Sequence, residues 1–316
     1  MTTALITHPA CLEHVTPNGH PEQVARLEYI LKALDGKELT RVKAPMGSED
    51  DILRCHPATH ITDLRSASPD TGHRQIDGDT FMSPGSLDAA FRAVGAVTKA
   101  VDMVMSGEAG NAFAAIRPPG HHAEKTTAMG FCLFGNVSIG AKYALEHHGL
   151  KRVAVVDFDV HHGNGTQDLL WNEPRALVIT SQQMPLWPGT GEPSDKGGYD
   201  NVLNLPIAPE STGDQMRALY TSDVFPRLRA FKPDIIFISA GFDAHQDDPL
   251  ANLNWSTGDF KWLTQELCKI ADELCEGRVV SALEGGYDLD ALADAVGAHV
   301  DALMEASGWA TPQLPK

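Results

Sequence analysis

Three residues that could bind one metal ion follow two apolar runs of the sequence. Asp159 and His161 are two positions apart at the end of one run, so on an extended segment both side chains face the same side. Asp243 follows a second run, where a carboxylate without a partner would be costly to bury. Two carboxylates and one imidazole with an open fourth position are typical of catalytic zinc. The alternatives are a turn-capping Asp159 beside a solvated histidine, and a helix N-cap at Asp243.

Two adjacent histidines, His121 and His122, end the stretch RPPGHH at residues 117–122. Prolines and a glycine constrain this backbone, so both rings can be directed to one site only in a shaped loop. A metal ion bound by two carboxylates and one imidazole is a weaker Lewis acid than one bound by histidines alone, so its bound water is expected to need a base. A pair of imidazoles supplies a general base and a second hydrogen-bonding or positive group. The alternative is two surface histidines on a loop.

Tyr287 follows two glycines in the stretch EGGYDLD, residues 284–290. The stretch ends another apolar run, so the phenol can enter a crowded site while the glycines leave the backbone free to turn. A phenol in this position could donate a hydrogen bond to a developing oxyanion. The alternative is a tyrosine packed under the next helix.

The elements that would position these residues alternate along the whole chain. Eight runs are predicted as strands, several of them apolar throughout as in strands buried on both faces: 4–7, 40–44, 112–116, 152–159, 176–181, 201–207, 234–241 and 278–286. Amphipathic patterns predict helices over 21–34, 84–106, 136–148, 212–231, 257–276 and 289–306. Ser48 and Asp51 form a capping-box pattern that predicts a further short helix.

This alternation predicts one domain over residues 1–316, built on a doubly wound, mostly parallel α/β sheet of about eight strands. Ligands of such sheets bind at the carboxyl ends of the strands, which is where the histidines, aspartates and tyrosine fall. The Gly/Pro-rich stretch 185–201 is long and irregular, and loops of this kind are often functional.

Composition excludes several classes of protein. The 25 Lys and Arg against 42 Asp and Glu give a formal charge of −17, which repels nucleic acid and anionic membranes and tolerates cationic substrates. No apolar run approaches the roughly 20 residues of a membrane span, and the first residues show no secretory signal. Five cysteines without a C-x-x-C pair favour a reducing compartment, and we expect a cytoplasmic protein.

Five motifs together resemble one protein family. RPPGHH, MGFC, DFDVHHGNGTQD, SAGFDAH and EGGYDL occur in the order and spacing of the zinc-dependent histone deacetylases and their bacterial relatives, the acetylpolyamine amidohydrolases and deacetylase-like amidohydrolases. The stretch NGHPEQVARL at residues 18–27 is similar to the N-terminal segment of that family. The resemblance extends from about residue 8 to residue 306. It implies the arginase/deacetylase fold, an eight-stranded parallel sheet between helices.

The resemblance implies a role for each site residue. One zinc ion per protomer would be bound by Asp159, His161 and Asp243, with ferrous iron as an alternative. His121 and His122 would be the tandem pair, Asp157 would hydrogen-bond His121, and Tyr287 would polarise the amide carbonyl. Structural potassium would be held largely by main-chain oxygens at Asp157, Asp159, His161, Thr180 and Ser181.

The sequence departs from the well-known nuclear members of that family at several positions. Asn164 stands where they have a second aspartate, so His122 should stay neutral more readily than His121 and is our predicted general base. The loop 180–191 also differs, and the substrate tunnel is predicted to be lined by Phe131, Trp187, Gly130 and Leu250. Leu250 stands where polyamine deacetylases carry an acidic residue, while Asp247 and Asp248 are expected to face solvent.

These observations predict hydrolysis of an acyl-amide, with an acetyl group on a lysine-like or other amine-bearing chain as the first expectation. Acetylpolyamines and other small amides remain open as substrates. Two rival functions are a ureohydrolase with two manganese ions, which shares the fold, and a non-catalytic sensor of acyl ligands. A two-metal site needs roughly six ligands, whereas only Asp159, His161 and Asp243 are in convincing ligand positions. The chain also lacks the D-x-D-x-x-D pattern of ureohydrolases and retains every reactive group of the deacetylase-like site. A homo-oligomer is left open.

Overall fold

The computed structural model describes residues 1–308, in which strands and helices alternate as predicted. The strands are β1 Thr3–Thr7, β2 Thr40–Lys43, β3 Arg74–Gln75, β4 Phe81–Met82, β5 Asn111–Ala114, β6 Val153–Asp157, β7 Ala176–Gln183, β8 Val202–Ile207, β9 Ile235–Ala240 and β10 Val279–Leu283. The α-helices are α1 Val24–Ala33, α2 Glu49–Ile52, α3 Ala58–Ala67, α4 Ser86–Ser106, α5 Asn136–Glu146, α6 Asn164–Leu170, α7 Gly213–Leu219, α8 Phe225–Phe231, α9 Thr257–Cys275 and α10 Leu289–Ser307. None of the described helices is long and apolar enough to cross a membrane.

Eight of the strands form one parallel sheet in the order β2-β1-β5-β10-β9-β6-β7-β8, and β3 and β4 form a separate antiparallel pair. The prediction of an eight-stranded parallel α/β sheet is therefore confirmed. The order makes β5, β10, β9 and β6 consecutive neighbours. These are the four strands whose ends carry the predicted histidines, aspartates and tyrosine, so the topology brings distant parts of the sequence to one edge of the sheet.

Helices cover both faces of the sheet, because the central strands are apolar on both sides. Along β9, Ile236 and Ile238 pack into the core beneath α1, α9 and α10, while Ile235 and Phe237 pack into the core beneath α4 and α5. Successive side chains of a strand point to opposite faces, so a continuous apolar run serves both cores. The two cores fix the strands and thereby the loops at their carboxyl ends.

The predicted helix over 212–231 is the largest difference between sequence and structure. It is divided into α7, a π-helical turn at Tyr220–Val224, and α8. Pro226 lies in the first turn of α8, where the absence of its N–H removes one helical hydrogen bond. The π turn accommodates the missing hydrogen bond. The amphipathic sequence pattern continues across the turn, so the pattern does not reveal that the helix is divided.

Four of the short strands and α-helices were not predicted: β3, β4, α3 and α6. α3 begins after Pro57 without a side-chain cap and buries His60 beside Ile61 and Leu64, so its pattern is weak. α6 begins at Asn164, directly after the histidine-rich motif, and its first residues read as part of that loop. The capping box between Ser48 and Asp51 is present and begins α2 as expected.

Candidate active site

Four adjacent strands bring the predicted site residues to one edge of the sheet. β5 leads into the loop that carries His121 and His122, and β6 ends at Asp157. β9 is followed by Asp243 and β10 by Tyr287. All five side chains are at least nine-tenths buried. The structure therefore brings together residues that are up to 166 positions apart in the sequence (287 minus 121).

Asp159, His161 and Asp243 converge on one point. The Nδ1 atom of His161 lies 3.1 Å from an oxygen of Asp159 and 3.1 Å from an oxygen of Asp243. Tetrahedral zinc with bonds of about 2.0–2.2 Å to oxygen and nitrogen requires donor separations of about 3.3–3.6 Å, a few tenths of an ångström more than these. The three donors thus have the chemistry and spacing that a divalent metal ion needs.

The remaining carboxylate oxygens at this point are fixed by backbone amides. Gly285 donates its N–H to Oδ2 of Asp159 at 2.9 Å, and Val160 donates to Oδ1 of Asp243 at 2.9 Å. Burial alone lowers the pKa of His161, but its hydrogen bonds to Asp159 and Asp243 outweigh burial and raise the pKa to about 10. This rise reflects two buried negative charges that favour a cation between them.

A second group of three candidate ligands lies away from this edge, in the part of the chain that the structure describes. Asp102 of α4 approaches His147 and His148 at the end of α5. His148 donates to Asp102 at 2.8 Å, and all three residues are at least partly exposed. Solvent and this hydrogen bond already satisfy the three side chains, whereas in the first group both carboxylates are buried and the His161 side chain is only 11% exposed.

The two histidines of the RPPGHH loop have different hydrogen-bond partners. Nδ1 of His121 donates to Asp157 at 2.9 Å, and Nδ1 of His122 donates to Asn164 at 2.8 Å. The rings lie side by side, with centroids 3.8 Å apart. Asn164 in turn donates from Nδ2 to Glu124 at 2.8 Å, which fixes the orientation of its amide and leaves Oδ1 facing His122.

The different surroundings of the two rings shift their pKa values in opposite directions. Burial lowers the pKa of His121, but the nearby carboxylates of Asp159 and Asp157 outweigh burial and hold the pKa well above its ordinary value. Burial and the positive charges of His121 and His161 hold the pKa of His122 well below its ordinary value. The surroundings of the pair therefore favour the protonated form of His121 and the neutral form of His122.

Glu284 is a functional candidate to which the sequence analysis assigned no role. Its buried carboxylate accepts the N–H of Gly120 at 2.7 Å and the N–H of His121 at 3.1 Å. It therefore fixes the backbone that carries the histidine pair. Glu284 stands in the EGGYDL motif, so the motif marked the position, but its spacing does not reveal a partner 164 residues earlier.

The N-terminal HPEQVAR segment supports the same region. Glu22 is fully buried between two arginines, 3.0 Å from Arg26 and 2.6 Å from Nη2 of Arg117. Arg26 donates in turn to the carbonyl oxygens of Gly286 and Glu284, each at 2.6 Å. Its guanidinium carbon also lies 4.9 Å from the ring centroid of Tyr287. The segment therefore anchors the loop that carries the tyrosine.

Tyr287 follows Gly286, whose backbone conformation only glycine adopts readily. Gly286 has a φ of +120°, outside the range that side chains tolerate. The Tyr287 amide donates to Asp248 at 2.7 Å. Burial raises the pKa of the Tyr287 phenol well above its ordinary value, so the hydroxyl keeps its proton and can act as a donor.

A cavity of about 270 Å³ opens above these groups. His122, His161 and Tyr287 contribute to its lining. The other residues that line it are Phe131, Trp187, Gly130 and Leu250, which were predicted, and Pro21, Asp79 and Leu186, which were not. Asp79 follows the β3 strand that the sequence analysis did not identify, so nothing indicated its position at the cavity.

Two aromatic residues narrow the cavity. Trp187 lies edge-on to His122 with ring centroids 4.7 Å apart, and Phe131 lies edge-on to Tyr287 at 5.8 Å. Gly130 lies against the His122 and Trp187 rings with a positive φ of 55°, and a Cβ atom there would meet both rings at 2.6 Å. The walls are therefore too close together for any side chain at Gly130.

One expectation about the cavity mouth is wrong. Asp247 is exposed as expected, with a side-chain accessibility of 62%, but Asp248 is 7% exposed. Asp248 turns inward because the amides of Leu250 and Tyr287 both donate to its carboxylate. The residues predicted to bind potassium lie at the end of β6 and in the loop after it (Asp157, Asp159, His161) and within β7 (Thr180, Ser181). Asp157 is paired in register with Thr180.

Comparisons with known proteins agree with this geometry. A family model described as the histone deacetylase domain matches residues 20–303. Histone deacetylase 14, chloroplastic, of Arabidopsis thaliana is 39% identical over 319 residues, which cover 93% of this chain and 75% of that protein. The histone deacetylase-like amidohydrolase of Pseudomonas aeruginosa is 36% identical over 277 residues, covering 85% and 73%. The crystal structure of the HDA15 HD domain matches with a TM-score of 0.91 at 29% identity, covering 96% and 88%.

Proposed function

The chain belongs to the histone deacetylase family of hydrolases, and from this premise we propose that it is a zinc-dependent amidohydrolase. The proposed reaction removes an acyl group, in the first place acetyl, from an acylated amine such as acyl-lysine. One observation carries the proposal: His161 of the three-donor group, His122 and Tyr287 all face the same cavity.

Asp159, His161 and Asp243 are the proposed zinc ligands. Their buried oxygen and nitrogen donors suit zinc, and ferrous iron is the alternative for the same set. When bound there, the ion would supply Lewis-acid polarisation of the amide carbonyl and would make water more acidic. The two carboxylates would neutralise most of its charge, which is why a separate base is required.

His122 is the proposed general base. Its Nδ1 carries the proton donated to Asn164, so its Nε2 has the free lone pair and can accept a proton from the attacking water. The low pKa that burial gives His122 keeps this nitrogen unprotonated before the reaction. Asn164 keeps the ring in the required tautomer, and Glu124 keeps the asparagine in its required orientation.

His121 and Tyr287 are proposed to stabilise the charge that develops during the reaction. His121, held as a cation by Asp157 and Asp159, contributes a positive charge beside the base. The Tyr287 hydroxyl donates to the oxygen of the tetrahedral intermediate. A protonated imidazole of the pair then gives a proton to the departing amine.

The shape of the cavity supports an acyl group on an aliphatic linker. Phe131 and Trp187 form apolar walls, and a straight methylene chain fits between two aromatic rings better than a branched or strongly hydrated group. Leu250 at the lining offers no attraction to a second ammonium group. Acyl-lysine and other singly charged or neutral amides are therefore our first proposal for the substrate.

Acetylpolyamines are a second candidate, favoured by one observation. Asp79 lines the cavity and would attract a second ammonium group of a polyamine. The overall charge of −17 acts in the same direction at low ionic strength. The name of the Pseudomonas aeruginosa relative, an amidohydrolase, agrees with a small amide as readily as with a protein substrate.

Further features are proposed from the same family membership. Structural potassium would bind between the carboxyl end of β6 and the adjacent part of β7, at Asp157, Asp159, His161, Thr180 and Ser181. Residues 1–316 would form one catalytic domain. The five cysteines are buried and unpaired, which supports a reducing compartment such as the cytoplasm, although the Arabidopsis thaliana relative is named chloroplastic.

The test is a kinetic screen of the purified protein after metal removal and reloading with zinc or ferrous iron. The panel holds acetylated and longer acylated lysine peptides, acetylated polyamines and, for the ureohydrolase alternative, arginine and agmatine. We expect stoichiometric release of carboxylate and amine from at least one amide, and none from an Asp243→Ala variant. Release of urea, or binding of the amides without hydrolysis, would refute the proposed function.

A further inference from the structure

Asp248 is a buried carboxylate whose hydrogen bonds are to the backbone amides of two residues that line the cavity, Leu250 and Tyr287. Oδ2 accepts the N–H of Tyr287 at 2.7 Å, and Oδ1 accepts the N–H of Leu250 at 2.9 Å. Within residues 1–308, no Lys, Arg or His nitrogen lies within 4.0 Å of this carboxylate. Burying a carboxylate without a counter-ion is costly, so the two amide bonds account for its inward position.

The segment before Tyr287 depends on such contacts. Gly285 and Gly286 restrict the backbone very little, and the φ of +120° at Gly286 shows how far the chain turns there. The Gly285 amide is held by Asp159, and the Gly286 carbonyl is held by Arg26. The Tyr287 amide itself is held by Asp248, one residue beyond the glycines.

The same carboxylate reaches the wall of the cavity. Leu250 lines the cavity, and its amide is fixed by the other oxygen of Asp248. The 243–250 segment follows β9 and the 284–287 segment follows β10, which are neighbouring strands. Asp248 therefore links Leu250, in the cavity wall, directly to Tyr287, whose hydroxyl is the proposed hydrogen-bond donor.

We propose that Asp248 is a positioning residue that holds Tyr287 in its reactive orientation and couples it to the cavity wall at Leu250. This inference rests on the proposed function, in which the Tyr287 hydroxyl stabilises the oxyanion. Asp248 contacts no reacting atom and acts through the backbone. In Asp248→Asn, a side-chain amide replaces the carboxylate and faces two backbone N–H donors. Its oxygen can accept a hydrogen bond from one of them, while its NH2 group faces the other.

The test is a double-mutant cycle between Asp248→Asn and Tyr287→Phe, with Asp247→Asn as the matched control. Asp247 is the adjacent residue of the same type, and its carboxylate is exposed. We expect Asp248→Asn to lower kcat by about 10- to 100-fold, the cost of a small displacement of a reacting group, with a smaller change in KM. In the Tyr287→Phe background the same change should cost less than about twofold, because the group it positions is absent.

Equal losses from Asp248→Asn in both backgrounds would show that it acts on the general structure, and would overturn the inference. A normal kcat for Asp248→Asn would overturn it as well. If Tyr287→Phe itself leaves kcat unchanged, the proposed role of the tyrosine fails instead, so the two failures are distinguishable.

Hydrogen exchange provides a readout that does not require activity or a fully stable variant. In the unaltered protein, the Tyr287 amide should exchange slowly although it follows two glycines. Asp248→Asn should accelerate exchange in a peptide covering residues 284–290, and Asp247→Asn should not. Fast exchange at Tyr287 in the unaltered protein would contradict the contact itself.

Discussion

At the scale of single residues, the proposed chemistry depends on hydrogen-bond partners that give two identical side chains different pKa values. His121 and His122 are neighbours in the sequence, yet a carboxylate faces one ring and an amide faces the other. The sequence predicted this difference, since Asn164 was identified as the partner of His122. The sequence could not show that Glu124 orients the asparagine, because no pattern links a residue on the histidine loop to the side-chain amide of α6.

The tyrosine prediction concerns a single oxygen atom. Tyr287→Phe keeps the ring and its packing on Phe131, but it removes the hydroxyl donor. We expect kcat to fall by about 10²–10³, as for other oxyanion donors, with unchanged metal content. Steady-state kinetics and elemental analysis of the same preparation measure both quantities. A variant with a nearly normal kcat would assign Tyr287 to packing.

The histidine prediction separates the base from the cation. His122→Ala should lower kcat more than His121→Ala, because only His122 is held neutral with a free Nε2. Metal content must be measured in both variants, since His121 lies 3.7 Å from Asp159. If His121→Ala is the more damaging change while both variants retain metal, the assignment of the base to His122 is wrong.

At the scale of elements, the strands were predictable and several loops were not. β6, β9 and β10 are apolar runs that end at Asp, Gly or Glu motifs, so period and composition located them within one to three residues. The inward turn of Asp248 was not predictable, because it depends in part on the amide of Tyr287, 39 residues later in the loop that follows the neighbouring strand. Asp79 was missed for a similar reason: the two-residue strands β3 and β4 carry almost no pattern.

The selectivity prediction belongs to these loops. Leu250→Glu should raise kcat/KM for an acetylpolyamine relative to an acetyl-lysine peptide, since it adds a carboxylate at the lining. Asp79→Asn should change the ratio in the opposite direction. The comparison is made at moderate salt, which screens the general attraction of the acidic surface. If the unaltered enzyme already prefers the polyamine by about tenfold or more, worth about 1.4 kcal/mol, Leu250 does not set selectivity.

At the scale of the whole molecule, buried neutral histidines make stability depend on pH. His299 in α10 lies in the main core, where Nδ1 donates to Thr264 and Nε2 accepts from Ser281. Burial lowers the pKa of His299 to about 3. The unfolded chain, with an ordinary histidine pKa of about 6.5, therefore binds a proton that the folded chain excludes between these two values.

The corresponding prediction is that His299 makes the free energy of unfolding fall as pH decreases from about 6.5 towards 3. Its contribution is at most about 1.4 kcal/mol per pH unit. A His299→Gln variant should be less stable at neutral pH, yet lose stability less steeply on acidification. Urea unfolding at several pH values measures both slopes, with exposed His73→Gln as the control. Parallel curves for His299→Gln and the unaltered protein would contradict this linkage.

The central claim about the whole molecule is that one metal ion per chain, bound by Asp159, His161 and Asp243, supports hydrolysis. The decisive measurement is the activity of metal-free protein titrated with zinc. Activity is the required readout because the exposed group at Asp102, His147 and His148 could bind additional zinc. We predict that amidohydrolase activity rises linearly, stops rising at one equivalent per chain, and never appears in His161→Ala. A requirement for two equivalents, or full activity without metal, would contradict the account.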